Sequence, residues 1–121
     1  MNFMIIDDSS TMRKIIGLAL KSDGHEYIEA ENGKDAILKS DSNKVDFFIV
    51  DYNMPELNGI EFIKEIRKKT NYDKTPIIIL TTESDNKLIE EGKTAGANAW
   101  IVKPFEKEKF LSVINDVYKK S

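Results

Sequence analysis

Short apolar runs alternate with amphipathic segments along the whole chain. The runs predict five strands, at residues 3–6, 27–30, 47–50, 77–80 and 100–102. Those that start at Phe3, Phe47 and Ile77 are unbroken apolar sequences, which is typical of parallel strands covered by helices on both faces. The second run, Tyr27–Ala30, is half polar and predicts an edge strand. The alternation of strands with helices indicates an α/β fold.

Apolar residues at helical spacing follow each of the five runs. Ser9–Thr11 offers an N-cap for the first helix, and Gly24 ends it. The second and fourth helices carry few apolar residues, so we expect the fourth, which stops at Gly96, to be loosely held. The predicted helices begin after Ser9, at Gly33, near Gly59, before Leu88 and near Glu106, and the last of them runs to Lys120.

Right-handed crossovers restrict the order in which these strands pair. With the first strand at the centre, the second lies on one side, and the chain then returns to build the other three on the opposite side. The predicted fold is therefore a doubly wound, flavodoxin-like five-stranded parallel sheet of order 2-1-3-4-5 with five helices. In such sheets ligands bind beyond the carboxyl ends of the strands, where the order reverses.

Size and composition predict one globular domain over residues 1–121. A chain of 121 residues can bury a real hydrophobic core, and a net charge of −3 argues against nucleic-acid binding. The apolar runs are far shorter than the ~20 residues that span a bilayer, and we find no signal sequence. The chain has no cysteine, which excludes disulfides and thiolate zinc sites. We expect a cytoplasmic monomer.

Polar residues follow four of the predicted strands. Asp7 and Asp8 follow the first, Asp51 the third, Thr81 the fourth and Lys103 the fifth. Converging carboxylates repel each other by about 4 kcal/mol for a pair 4 Å apart at an effective dielectric constant of 20, so we expect a cation there. Oxygen ligands without histidine or cysteine favour a hard cation, and open positions suit Mg²⁺. The pattern predicts a magnesium and phosphate site.

Each of these residues alone has an ordinary explanation. Asp8 is typical of a helix cap, and Asp51 of an Asx turn that caps the next helix. Thr81 is a common strand-end hydroxyl and Lys103 a common solvated charge. Only the whole set, placed at adjacent strand ends, is specific. The single histidine, His25, is distant in sequence and is interpreted as a surface residue.

Seven spaced motifs carry a family resemblance that extends along the whole chain. They are Phe3–Asp8, Ser10–Arg13, Asp51–Pro55, Leu57–Gly59, Thr81–Glu83, Ala95–Ala97 and Lys103–Phe105. Together they resemble the receiver domain of two-component response regulators. Ser10–Arg13 and the lack of an output domain look most like the single-domain chemotaxis members of that family.

The resemblance implies a switch that is phosphorylated on Asp51. In the family, Asp8 and Asp51 hold Mg²⁺ together with the backbone carbonyl of the residue that matches Asn53, and the residue that matches Asp7 acts mainly through water. Two further residues contact the phosphoryl oxygens, and these match Thr81 and Lys103.

The resemblance also assigns roles around the site. Asn53 and Glu83 match positions that modulate dephosphorylation, and the bond before Pro104 matches a cis peptide. Trp100 matches an aromatic that turns inward when the threonine, here Thr81, is drawn toward the phosphoryl group. A plain packing role is the alternative for Trp100.

The implied function is signalling, with catalysis limited to the protein's own phosphorylation and dephosphorylation. The implied partners are a histidine kinase, a flagellar motor switch protein bound through the fourth helix, fifth strand and fifth helix, and a phosphatase. A phosphorelay intermediate and a regulator unrelated to motility are alternatives. A metal-dependent aspartyl-phosphate phosphohydrolase is disfavoured, because that chemistry needs an acid where this chain has Asn53.

Overall fold

Five parallel strands form one sheet of order β2-β1-β3-β4-β5 in the computed structural model, which describes residues 1–120. The strands are β1 (Asn2–Ile6), β2 (Glu26–Ala30), β3 (Phe47–Val50), β4 (Ile77–Thr81) and β5 (Ala99–Val102). The helices are α1 (Ser10–Ser22), α2 (Gly33–Ser42), α3 (Gly59–Arg67), α4 (Asn86–Ala95) and α5 (Lys107–Lys120), with a short 3₁₀ helix at Thr70–Tyr72. The predicted fold class, strand order and five α-helices are confirmed.

Two hydrophobic layers cover the sheet, one on each face. Successive side chains of a strand point to opposite faces. Phe48 and Val50 of β3 therefore pack into a layer with α2, α3 and α4, whereas Phe47 and Ile49 pack into a layer with α1 and α5. All four side chains are buried. This two-sided burial explains why the central strands are continuous apolar sequences.

The helices differ in how much they bury. Helix α3 buries five residues, among them Phe62, and begins with a capping box formed by Asn58 and Glu61. Helix α4 buries only Gly92. The structure therefore agrees with the few apolar residues of the fourth helix, and its loose attachment stays a prediction.

An aromatic ring lies over a helical glycine at both edges of the sheet. A Cβ atom at Gly17 of α1 would lie within 2.3 Å of the ring of Tyr27 on β2, and a Cβ atom at Gly92 of α4 would lie 2.9 Å from the ring of Trp100 on β5. Any larger residue would have to displace the ring, so each glycine permits a close helix-to-strand approach.

The amino-terminal end of the sheet is tied together by Arg67, at the end of α3. Its guanidinium donates hydrogen bonds to the backbone carbonyls of Tyr72, Thr75 and Gly96 at 2.9, 2.5 and 2.6 Å. Burial lowers the pKa of Arg67 from its usual value. These bonds link α3 to the loops that enter β4 and β5.

The interpretation of His25 as a surface residue was wrong. Its ring is half-buried and lies 4.8 Å from the ring of Phe3, while its Nε2 atom lies 3.4 Å from a carboxylate oxygen of Asp23.

Within residues 1–120, no helix combines the length and the hydrophobicity needed to cross a membrane.

Candidate functional site

Three carboxylates converge at the carboxyl ends of β1 and β3. Each of Asp7, Asp8 and Asp51 offers an oxygen atom, and these oxygens lie within 4.8 Å of one another. Asp7 is 2% exposed and Asp51 is 8% exposed, whereas Asp8 faces solvent. The neighbouring parallel strands end at the same edge of the sheet, which is how residues distant in sequence come together.

Lys103, which follows β5, contacts two of these carboxylates. Its Nζ atom donates to Oδ2 of Asp7 at 2.9 Å and to Oδ2 of Asp51 at 3.1 Å, and its side chain is 11% exposed. The peptide bond between Lys103 and Pro104 is cis, as the resemblance implied. One ammonium against three carboxylates leaves this cluster with a net negative charge, which favours a further cation.

Burial and pairing oppose each other in this cluster. Burial raises the pKa of Asp7, and the hydrogen bonds from the Ser9 backbone and from Lys103 offset only part of that shift. Burial acts to lower the pKa of Lys103, but its hydrogen bond to Asp7 and its attraction to Asp51 outweigh that effect, so the pKa of Lys103 rises. Lys103 is therefore charged at neutral pH.

Thr81 ends β4, the strand next to β3. The residue is fully buried, and its hydroxyl oxygen has no hydrogen-bond partner among the residues that the structure describes. An unsatisfied buried polar group costs about 1–3 kcal/mol. A hydroxyl in this state can donate to an acceptor that arrives from outside the chain.

Asn53 and Glu83 meet across the entrance to the site. The Nδ2 atom of Asn53 donates to Oε2 of Glu83 at 3.1 Å, and the backbone N–H of Asn53 donates to Oδ1 of Asp51 at 3.0 Å. An open depression of about 330 Å³ lies beside Asp8 and Asn53. Asp51 is thus oriented through one oxygen by the backbone and through the other by a lysine.

The loop after β3 folds back onto the strand end because α3 begins with Gly59. A Cβ atom at this position would lie 2.6 Å from the backbone carbonyl oxygen of Asp51 and 2.9 Å from Cα of Tyr52. The Gly59 N–H donates to the Tyr52 carbonyl at 3.0 Å. Only glycine permits this approach, which fixes the backbone around Asp51.

Trp100 connects β5 to the loop that follows β4. Its Nε1–H donates to the backbone carbonyl of Glu83 at 2.8 Å, and its ring packs on Gly92 with the ring of Tyr52 centred 6.3 Å away. The indole is half-buried. Glu83 therefore contacts Asn53 through its side chain and Trp100 through its backbone.

Arg13 supports the site but was not singled out for a role from the sequence. Its Nη1 donates to the backbone carbonyl of Asp7 at 2.5 Å, and its Nε donates to Oε1 of Glu29 at 2.9 Å. The sequence does contain a signal, because only Arg13 and Arg67 are arginines among 18 basic residues. In a chain that otherwise uses lysine, an arginine marks a place that needs several donors in a fixed plane.

No second site of this kind occurs in the described part of the chain. Asp7, Asp8 and Asp51 are the one group of three or more potential metal ligands within residues 1–120. A larger open depression, about 700 Å³, lies at the opposite end of the sheet around Asn43 and Tyr72. Its lining includes Asp41, Asp46, Asp73, Lys44 and Lys74, but its acids do not bring three carboxylate oxygens together as the cluster described above does.

Residues 3–115 match the family described as the response regulator receiver domain. The chain belongs to this receiver domain family. The resemblance inferred from the seven motifs is therefore confirmed. Receiver domains are signalling modules of two-component systems rather than metabolic enzymes, and their acidic pocket binds Mg²⁺.

Curated relatives cover nearly the whole receiver domain. A chemotaxis protein CheY homolog of Campylobacter jejuni is 40% identical over 121 aligned positions, covering 97% of this chain and 92% of the relative. Chemotaxis protein CheY1 of Helicobacter pylori is 42% identical over 107 positions, covering 87% of this chain and 86% of the relative. This receiver domain is thus similar to CheY proteins.

Solved structures agree with the sequence relatives. The chemotaxis protein CheY4 of Vibrio cholerae superposes with a TM-score of 0.91 at 37% identity, covering 96% of this chain and 97% of that chain. The receiver domain of the Francisella response regulator 1452 superposes with a TM-score of 0.88 at 28% identity, covering 98% and 97%. The receiver domain described above therefore has the CheY-like fold.

Proposed function

We propose that this chain is a phosphorylation-activated signalling switch that accepts a phosphoryl group on Asp51 from a histidine kinase. One observation carries the proposal. The buried Asp51 carboxylate lies 3.1 Å from the Lys103 ammonium, at the same sheet edge as the Thr81 hydroxyl, which has no hydrogen-bond partner within residues 1–120. A nucleophilic carboxylate, a fixed cation and a free donor are the groups that phosphoryl transfer needs from a protein.

Mg²⁺ fits the donor set of the acidic cluster. The converging ligands are all oxygens and carry excess negative charge, which suits a hard divalent cation. We infer that Asp8, Asp51 and the backbone carbonyl of Asn53 would hold the ion, with Asp7 acting through water. When bound, Mg²⁺ would neutralise charge on the phosphoryl oxygens.

Phosphorylation begins with attack by a carboxylate oxygen of Asp51 on the phosphorus of a phosphohistidine. The new O–P bond forms as the N–P bond breaks, and the leaving imidazole nitrogen keeps the electron pair and takes up a proton. Lys103 contacts one phosphoryl oxygen, and the Thr81 hydroxyl donates to another. These fixed donors stabilise the charge that the transition state spreads over the phosphoryl oxygens.

Dephosphorylation is attack by water on the phosphorus of the aspartyl phosphate. The P–O bond to Asp51 breaks, the Asp51 carboxylate is regenerated, and inorganic phosphate leaves. The hydrogen bond between Asn53 and Glu83 lies next to the acceptor, because the Asn53 backbone N–H donates to Oδ1 of Asp51. We propose that this pair modulates the rate of the step.

The switch runs from Thr81 through the loop after β4 to Trp100. When Thr81 is drawn toward the phosphoryl group, the loop that carries Glu83 moves with it, and the Glu83 carbonyl holds the indole N–H. A change at the site thus reaches the face formed by α4, β5 and α5. A signal needs such a two-state element that the phosphoryl group biases.

Beryllofluoride, a stand-in for the phosphoryl group, should shift the fluorescence emission of Trp100, the only tryptophan. Movement of the Glu83 carbonyl changes both the hydrogen bond and the water exposure of the indole. Thr81→Ala should greatly reduce the shift, and Thr81→Ser, which keeps the hydroxyl, should retain most of it. An emission spectrum that does not change at saturating beryllofluoride would show that Trp100 is static packing.

The Campylobacter, Helicobacter and Vibrio proteins named above are chemotaxis proteins, so we propose chemotaxis as the pathway. The proposed downstream partner is a flagellar motor switch protein bound by the α4, β5 and α5 face, and a phosphatase is a further partner. We propose that residues 1–121 act as one cytoplasmic, monomeric receiver domain. The net charge of −3 gives no support for nucleic-acid binding.

Binding to the motor switch protein of the source organism tests the pathway. Isothermal titration should give a lower Kd for the beryllofluoride-loaded protein than for the free protein, because the loaded site stabilises the binding-competent state. Asp51→Asn provides the control, since it should respond little to beryllofluoride. Equal affinity with and without beryllofluoride in the wild-type protein would exclude motor control and favour a phosphorelay or another pathway.

A further inference from the structure

We propose that Arg13 is a positioning residue for the magnesium site and acts with Glu29 on the peptide group between Asp7 and Asp8. The inference rests on the function proposed above. The side chain of Arg13 is 14% exposed and lies between the end of β1 and the end of β2. It contacts the site through the backbone, so it is separate from the ligand set.

The guanidinium forms a fork with two fixed directions. Nη1 donates to the Asp7 carbonyl at 2.5 Å, while Nε donates to Oε1 of Glu29 at 2.9 Å. Because the guanidinium is planar, anchoring one arm fixes where the other points. Glu29 is itself held in β2, where its backbone pairs in register with Ile5 and its carbonyl accepts a hydrogen bond from Lys39 at 2.6 Å.

The hydrogen bond from Arg13 to the Asp7 carbonyl completes the set of hydrogen bonds that holds Asp7 in place. Its Oδ1 accepts from the Ser9 backbone N–H at 2.9 Å, and its Oδ2 accepts from Lys103 at 2.9 Å. With the carbonyl held by Arg13, all three oxygens of the residue have a donor. Asp8 differs, because its exposed carboxylate has no hydrogen bond to the residues described here.

The direction of the Asp8 side chain therefore depends on the peptide plane that precedes it. That plane contains the Asp7 carbonyl, so the Arg13 fork acts on the starting direction of a metal ligand whose own carboxylate has no hydrogen bond within residues 1–120. Residues that orient metal ligands typically change metal affinity by roughly 10- to 100-fold when they are replaced.

The direction of the change in Mg²⁺ affinity on replacing Arg13 distinguishes a positioning role from a purely electrostatic one. Removing a cation near three carboxylates should strengthen Mg²⁺ binding if only electrostatics matters. Loss of positioning should weaken it. Arg13→Lys keeps the charge but loses the planar fork, so it isolates the geometric contribution.

Isothermal titration with MgCl₂ gives the direct test. We expect Arg13→Ala to raise the Kd for Mg²⁺ roughly tenfold and Arg13→Lys to raise it by a smaller factor. Arg67→Lys and Arg67→Ala are matched controls, because Arg67 also donates to backbone carbonyls but at the opposite end of the sheet. Both controls should bind Mg²⁺ as the wild-type protein does.

Two further measurements do not depend on phosphorylation. Glu29→Ala should add nothing to the Kd in the Arg13→Ala background, because the two residues act as one unit. In the metal-free protein, the NMR amide resonance of Asp8 should move in Arg13→Lys and stay in place in Arg67→Lys, since its nitrogen belongs to the peptide group that Arg13 contacts. Arg13→Lys retains its charge and most of its packing, which keeps the test valid if Arg13→Ala fails to fold.

The outcomes separate this inference from the proposed function. Wild-type protein that does not bind Mg²⁺, or an Asp8→Ala variant that binds it equally well, would overturn both. If the wild-type protein binds Mg²⁺ and Asp8→Ala does not, an unchanged or lower Kd in Arg13→Lys would overturn the positioning role alone. An equal loss of affinity in Arg67→Lys would have the same consequence.

Discussion

Asp51→Asn should abolish stable labelling by acetyl phosphate in the presence of Mg²⁺. The amide is a far weaker nucleophile than the carboxylate, and it also removes one proposed metal ligand. Gly59 fixes the backbone around this residue, and the side-chain oxygen of asparagine can still accept the hydrogen bond from the Asn53 N–H, so we expect a folded protein without its acceptor. Intact-protein mass spectrometry should find one added phosphoryl group on the wild-type chain and none on the variant.

The same chemical change at a distant acid provides the control. Asp46 accepts a hydrogen bond from the Asn2 backbone at the opposite end of β1, and Asp46→Asn should be labelled like the wild-type protein. Labelling that persists in Asp51→Asn would place the acceptor on another residue. Asp8 and Ser84 would then be the first sites to map by peptide fragmentation.

Lys103→Ala should lower the free energy of unfolding by about 3–5 kcal/mol in metal-free buffer. It leaves two buried carboxylates, Asp7 and Asp51, without the ammonium that both contact, and removing one partner of a buried ion pair has a cost of this size. Small proteins are stable by only about 5–15 kcal/mol. Urea unfolding followed by circular dichroism should therefore show a large shift of the midpoint, and Mg²⁺ should reverse part of it.

An exposed lysine provides the comparison. Lys109 pairs with Glu106 at 3.1 Å, but its side chain is 82% exposed, so Lys109→Ala should change the free energy of unfolding by less than about 1 kcal/mol.

Lys103→Ala should also accept some phosphoryl label yet lose the Trp100 response, because the cation ties β5 to the site. A variant with wild-type stability and a normal emission shift would contradict this role for Lys103.

The architecture could be predicted because burial of the strands and of one face of each helix requires a pattern of apolar residues that is visible in the sequence. Strands β1, β3 and β4 are buried on both faces, which forces continuous apolar runs, and the polar residues that end them fall at one sheet edge. The cluster of Asp7, Asp51 and Lys103 follows from that placement. The same patterns say little about a residue such as Tyr72, whose short 3₁₀ helix has no periodicity of its own.

Other features depend on side-chain geometry that patterns do not record. His25 is half-buried because its ring meets Phe3, and nothing in its local sequence indicates that contact. To predict that Trp100 packs on Gly92, one would have to know that α4 crosses β5 next to Trp100. Arg13 could have been noticed from composition, but its partner, the Asp7 carbonyl, is a backbone group that has no sequence signature.

The weak burial of α4 has a consequence for local unfolding. A segment that buries few side chains costs little free energy to open, and α4 buries only Gly92 where α3 buries five residues. Its backbone amides should therefore exchange with deuterated water sooner than those of α3. Helix α4 lies on the proposed output face, and a partner can therefore change its conformation at a lower cost in free energy than that of α3. The sheet and α3 meanwhile hold the acidic cluster in place.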